Sequence, residues 1–118
     1  GEALTEIFIA PWTDKSLALF TPSAFESLAE RFKSSSKTDV RNYMRLFYAG
    51  ADRGDLDKQG RVRIPDRLRE FAELDQKVVL LGVSDHLEVW DTTRWEEYVA
   101  KLNPQFDEIA EQAYEIGS

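Results

Sequence analysis

Sixteen residues of this chain recur at a fixed offset, which limits the folds open to it more than any other feature. Leu17–Phe32 (LALFTPSAFESLAERF) lies over Leu87–Leu102 (LEVWDTTRWEEYVAKL) without a gap, 70 residues apart. Leu17 meets Leu87, Phe20 meets Trp90, Phe25 meets Trp95 and Glu26 meets Glu96. Upstream, the same offset sets Phe8 on Val78 and Leu4 on Leu74. A unit of this size cannot cover its own apolar face, so two copies are expected to share a core or to meet along a seam. The first copy contains short apolar runs at Glu6–Ala10 and Ser16–Phe20, and the second at Lys77–Leu81 and Leu87–Trp90. Each pair predicts two strands, joined through Pro11–Lys15 and through Gly82–His86.

A helix follows each pair. Thr21-Pro22-Ser23 with Glu26 reads as an N-cap, a proline at the first helical position and a capping box, and Phe25, Leu28, Ala29 and Phe32 form its apolar stripe. Asp91 with the Thr93–Glu96 box starts the second helix, which carries Trp95, Tyr98, Val99 and Leu102. Between the copies, Lys33–Lys37 (KSSSK) is a polar connector. Thr38 then caps a helix with Val40, Tyr43, Met44 and Phe47 at helical spacing, Arg41 and Arg45 on another face, and an end near Ala49-Gly50. After Asn103-Pro104, Phe106, Ile109, Ala110 and Ala113 mark a last, acidic amphipathic helix.

The chemistry concentrates in Asp57-Lys58-Gln59-Gly60-Arg61-Val62-Arg63-Ile64-Pro65. Gly60 supplies a positive φ for a hairpin-type turn, and Asp57 bonds the turn's own amides. Beyond it, Val62 and Ile64 alternate with Arg61 and Arg63, which predicts a strand with two aliphatics inward and two guanidinium groups outward. Pro65 fits the first turn of a short helix over Asp66–Phe71.

The formal charge of −7 argues against a polyanionic partner, but its distribution does not. From Arg53 to Arg69 six basic residues face three acids, and from Glu88 onward eight acids face two bases. Only the first of these stretches can meet phosphate. With no cysteine and one histidine, disulfides, thiolate sites and most zinc arrangements are excluded. No apolar run approaches the about 18 residues of a membrane span, and no signal peptide opens the chain. The reading is a cytoplasmic protein without cofactor, membrane partner or small-molecule substrate. The chain lacks a phosphate loop, a G-x-S-x-G turn and a cysteine nucleophile, so no enzyme is expected.

Residues 50–102 resemble MraZ, a family of bacterial transcription regulators. The resemblance rests on Asp57-Lys58-Gln59-Gly60-Arg61 as a D-x-x-x-R signature and on the Val62-Arg63-Ile64-Pro65 and Leu68-Arg69 that follow it. It continues through Leu81-Gly82-Val83, Glu88-Val89-Trp90 and Trp95-Glu96-Glu97-Tyr98, and reaches Asp14-Lys15-Ser16-Leu17 and Arg45-Leu46-Phe47 in the first part. It implies an α+β fold, a two-repeat AbrB-like swapped-hairpin β-barrel with peripheral helices. The implied function is binding of double-stranded DNA at promoter direct repeats of the division and cell-wall gene cluster by a homo-oligomer such as a ring. The domains would be a partial first repeat (1–37), a linker helix (38–50), the motif-bearing repeat (51–102) and a C-terminal acidic helix (103–118). The 70-residue offset would set the first copy of the motif before residue 1, so the first repeat reads as incomplete, through shortening or loss.

By the resemblance Arg61 contacts DNA, with Asp57 its partner in the signature. Arg63 shares its face, and Lys58 acts as a point charge for phosphate. The plain alternative for both arginines is an exposed strand face that discourages edge pairing. Asp57 reads first as the brace of the turn. Arg67 and Arg69 divide between phosphate contact and ion pairs with Asp66 or Glu70. Phe25, Trp90 and Trp95 read as core or subunit interface rather than a base-stacking platform, and His86 as a turn residue. The rival function is an oligomeric scaffold or protein-interaction module that has lost DNA binding. An AbrB-type antitoxin fits less well because of the repeat.

Overall fold

The computed structural model describes residues 4–33 and 35–117, and in it both hairpins form. β1 (Glu6–Pro11) pairs antiparallel with β2 (Leu17–Phe20), and β4 (Val78–Val83) with β5 (His86–Asp91). The hairpins join through β2 and β5, where Leu17 stands opposite Val89, Ala18 opposite Glu88 and Leu19 opposite Leu87. Leu87 and Val89 lie 70 residues after Leu17 and Leu19, so exchanging the copies returns the same pairing. An approximate two-fold axis therefore runs through the Ala18–Glu88 pair, as in an isologous interface.

The offset is not uniform upstream. Phe8 pairs with Phe20, whereas Trp90 pairs with Val79, so Phe8 corresponds to Val79 rather than to Val78. The second hairpin is one residue shorter between equivalent pairs and closes through Ser84-Asp85, with Ser84 left-handed at φ 58°. His86 is thus the first residue of β5 and not part of a turn. Its ring packs on Trp12 and Phe20, with centroids 4.8 and 5.2 Å away.

A strand absent from the sequence expectations, β3 (Asp52–Asp55), adds to the outer side of β1 and sets Gly54 opposite Ile7. The sheet order is β3-β1-β2-β5-β4, and among the described residues β3 and β4 are its edges. Arg53 and Asp55 point to solvent, as suits an edge strand.

Strand alternation sends side chains to two faces. Phe8, Ala10, Ala18 and Phe20 meet α1 (Pro22–Lys33) and α2 (Thr38–Gly50) through Phe25, Leu28 and Phe47. Phe8 and Phe25 stack at 4.3 Å. On the other face, Ile7, Ile9 and Leu17 are covered by Val62, Ile64, Leu68 and Ala72, from the stretch that runs through α3 (Asp66–Phe71). On the corresponding face of the second hairpin Val89, beside the seam, is buried in the same cluster, but the rest lies open. Ile9 is 0% exposed, but Leu80, its equivalent about the axis, is 58% exposed; Leu17 is 0% and Leu87 is 42%.

Helix starts differ in detail from expectation. Thr21 caps α1 by accepting from the Ala24 amide at 3.1 Å, and because Ala24 holds the third helical position, Glu26 cannot complete a capping box. Lys37, not Thr38, stands at the N-cap of α2, since the helix begins at Thr38 itself. Asp91 caps α4 (Thr92–Leu102) by accepting from the Arg94 amide at 3.3 Å. Its second oxygen accepts from the Asp75 amide at 3.0 Å. Thr93 is already inside α4, so its box with Glu96 is not formed. A 3-10 turn at Asn103–Gln105 leads into α5 (Phe106–Gly117).

Arg94 ties distant segments together. Its Nη1 donates to the Lys15 carbonyl at 2.9 Å and the Ala72 carbonyl at 3.3 Å, its Nη2 donates to the Asp14 carbonyl at 3.0 Å, and Glu73 lies 3.5 Å from Nε. Asp14, Lys15 and Glu73 all adopt left-handed backbone, at φ 59°, 56° and 52°. One guanidinium thus holds two strained turns in place.

Two substitutions test this packing. Arg94→Ala is expected to cost about 2 kcal/mol in urea unfolding, because three carbonyls lose a charged donor. Arg94→Lys should not restore it, since a single ammonium cannot span them. At Gly54 an added Cβ would sit 2.5 Å from Val62 Cγ2 and 3.3 Å from Ile9 Cδ1. Gly54→Ala should therefore destabilise by about 1–3 kcal/mol through overpacking, with part of the loss recovered by Val62→Ala. Strictly additive single and double variants would contradict the contact.

Candidate nucleic-acid interface

Asp57 organises the motif turn. Its Oδ1 accepts from the Gln59 amide at 2.9 Å and the Arg61 amide at 2.8 Å, while Oδ2 accepts from Arg61 Nε at 2.9 Å. Backbone bonds close the loop. The Asp57 amide donates to the Arg61 carbonyl at 2.9 Å and the Gly60 amide to the Asp57 carbonyl at 3.0 Å. Gly60 sits at φ 78° with open space where a Cβ would stand, so glycine is needed for conformation rather than for room. Gln59 Oε1 accepts from Arg61 Nη2, which leaves Nη1 as the guanidinium nitrogen without a partner among the described residues.

The strand expected over Val62–Ile64 does not form. Residues 61–65 join no ladder among the described residues. The alternation survives without one: Val62 and Ile64 enter the core beside Ile7 and Ile9, and Arg61 and Arg63 stay exposed. Pro65 is at the N-cap of α3 rather than at its first helical position, and its carbonyl accepts from the Leu68 and Arg69 amides, both at 3.0 Å.

The structure sorts the six cations of this stretch. Arg53 pairs with Glu6 at 2.8 Å, and Arg69 lies 3.5 Å from Asp66. Arg67 donates to the Gly50 carbonyl at 2.8 Å and lies 3.6 Å from Asp52, so it caps the C-terminus of α2. That role left no local mark in the sequence, because its partners lie 15–17 residues upstream. Lys58 and Arg63 are exposed and have no acidic partner among the described residues. Lys58, Arg61 and Arg63 therefore form a small outward cluster whose position is fixed from below by Val62 and Ile64. Such a cluster suits phosphate oxygens or the acceptor edge of guanine.

The Arg61 amide above all, helped by the Arg61 side chain and the Gln59 amide, holds the Asp57 carboxyl below its ordinary value of 3.8, against an opposing push from desolvation. A depressed carboxylate stabilises the turn fully above pH 3.8 and loses that contribution as the pH falls through the lowered value. In an acid titration followed by NMR, the Gln59 and Arg61 amides are expected to shift with a common midpoint below 3.8. A midpoint at or above that value would mean the carboxylate does not hold the turn.

Comparison with known proteins agrees with the motif. Residues 47–116 match the family model described as "MraZ protein, putative antitoxin-like". A "Transcriptional regulator MraZ" from Nocardioides sp. is 44% identical over 98 residues, covering 81% of this chain and 68% of that protein. The protein of the same name from Leuconostoc mesenteroides is 38% identical over 108 residues, covering 90% of this chain and 76% of its own length. That from Moorella thermoacetica is 36% identical over 101 residues, covering 84% and 71%. With identities of 36–44% over four fifths or more of its length, and with the family model over more than half of it, the chain belongs to the MraZ family.

Proposed function

We propose that this chain is a transcriptional regulator that binds double-stranded DNA through Lys58, Arg61 and Arg63, with Asp57 as the brace. The observation that carries the reading is Arg61 itself, held by a carboxylate, exposed, and flanked by two cations with no acidic partner. The relatives are named as transcriptional regulators, which supports the same function here. The targets we propose are promoter direct repeats of the division and cell-wall gene cluster, within the cytoplasm and at the nucleoid.

One motif offers three cations, too few for tight binding, so the working form is an oligomer that repeats the motif. We read residues 51–102 as the motif-bearing repeat, 1–37 as a partial first repeat, 38–50 as a linker helix and 103–118 as an acidic helix. The exposure of Val78, Leu80 and Leu87 on β4 and β5 supports a further step. Val78, Leu80 and Leu87 border a groove of about 620 Å³ whose opposite wall is Val62 and Ile64. Their equivalents about the two-fold axis are covered by the motif segment, so the groove is the natural seat for another copy of it. That seating would close the sheet into a swapped-hairpin barrel.

Binding to a labelled duplex of tandem direct repeats tests the function. Log affinity should fall against log salt with a slope of about −2.7 for each engaged motif, from three phosphate contacts. Arg61→Ala should weaken binding about tenfold or more, and Arg63→Ala should flatten the slope. Salt-insensitive behaviour, with Arg61→Ala unchanged, would favour an oligomeric scaffold instead.

A further inference from the structure

The motif loop holds in place a side chain that the D-x-x-x-R signature leaves unspecified. Gln59 is exposed, yet both its backbone and its side chain are bonded: its amide donates to Asp57 Oδ1 at 2.9 Å, and its Oε1 accepts from Arg61 Nη2. Arginine has no acceptor, so the Gln59 oxygen must face the guanidinium and its NH2 group faces away. Asp57 Oδ2 accepts from Nε of the same guanidinium at 2.9 Å. Nε and Nη2 share one edge of that planar group, so Asp57 and Gln59 together occupy the edge. A single acceptor would let the plane swing about one bond, whereas two on one edge fix it. The end-on fork, one N–H each from Nη1 and Nη2, stays open among the described residues.

We infer that Gln59 is a positioning residue for base reading, which holds the Arg61 fork in the plane that meets O6 and N7 of a guanine. The inference rests on the DNA-binding reading above and names what the site reads. Chemistry selects the base. Every group that the fork and the Gln59 NH2 turn outward is a donor. In the major groove guanine alone presents two adjacent acceptors, whereas adenine and cytosine place an amino group where a donor is repelled. Asp57 cannot fix the fork by itself, because its Oδ1 is engaged by two amides and its Oδ2 bears on Nε only. With the plane held in advance, the guanidinium meets the base without the cost of ordering it. Lys58 and Arg63, without an acidic partner among the described residues, remain for phosphate, which orients the loop and carries no base information.

Selection by the full chain from a pool of duplexes with randomised base pairs tests the inference. The wild type should enrich guanine at a fixed position. Gln59→Met removes the acceptor at similar length and leaves Lys58, Arg61 and Arg63 in place. Its binding should keep the wild-type salt slope while its preference for guanine falls about tenfold. Gln59→Glu returns an acceptor to Nη2 and should regain part of the preference, at lower overall affinity because of its charge. Without DNA, the Arg61 Nε–H signal in NMR should be sharp in the wild type and in Gln59→Glu, and broadened in Gln59→Met. An unchanged Nε–H signal in Gln59→Met overturns the positioning role, as does a guanine preference equal to wild type or one that Gln59→Glu fails to raise. Loss of the bonded amide signals of residues 59 and 61 in Gln59→Met also overturns it, since Gln59 then shapes the loop and not the fork. In each of these cases a loss of binding in Arg61→Ala leaves the DNA-binding reading standing. Wild-type binding without base preference overturns the guanine reading alone, and a wild type that binds no duplex overturns both.

Discussion

The pairing of β2 with β5 is the constraint on which the remaining architecture depends. It is the only ladder between the hairpins among the described residues, and its register sets Ala18 opposite Glu88 at the centre of the repeat. Period-two alternation then fixes what each hairpin shows on each face. Leu17 and Leu19 face one way with Leu87 and Val89, and Ala18 and Phe20 face the other way with Glu88 and Trp90. A shift of one residue would turn every one of these side chains over. Two equivalent apolar surfaces thus arise on one side of the sheet, and among the described residues one motif segment covers one of them. Ile9 lies under that segment and is buried, whereas its equivalent Leu80 does not and is exposed.

The motif is built differently, from bonds that span four residues or fewer. Asp57 accepts two amides and one guanidinium N–H, and two backbone bonds close the same five residues. Local closure of this kind carries little loop entropy. It explains how Arg61 keeps its position although residues 61–65 have no ladder partner. Val62 contributes from the other side by resting on Gly54, where a side chain would leave no room. The loop is therefore ordered by its own carboxylate and anchored by two aliphatics, and the cations it displays make no part of the core.

Features with a local cause were legible in the sequence. The repeat, the hairpins, the Thr21 and Asp91 caps and the Asp57 turn each depend on residues close together in the chain. β3 was not legible, because Asp52-Arg53-Gly54-Asp55 has none of the β-branched or aromatic residues that mark strands. It is a strand because β1 offers an edge, and it contains glycine because Val62 approaches from above. Arg94 was missed for a related reason: it bonds carbonyls 79 and 80 residues away, and carbonyls leave no signature in a sequence. The strand expected over Val62–Ile64 shows the opposite case. Its alternation was read correctly, but alternation specifies burial, and a ladder needs a partner that the described chain does not supply.

Net charge is a poor guide to partners in such a molecule. The principal extents are 42 × 40 × 31 Å, several times the Debye length of about 8 Å at physiological salt. A phosphate beside Arg61 responds to Lys58, Arg63 and the Asp57 carboxylate far more than to a total of −7. On the proposed function, the acidic total governs the encounter of one free copy with DNA, which repulsion opposes. Copies already aligned would present several loops to DNA at once, so that their short-range contacts add. On that proposal, assembly before binding is the order that this charge distribution favours.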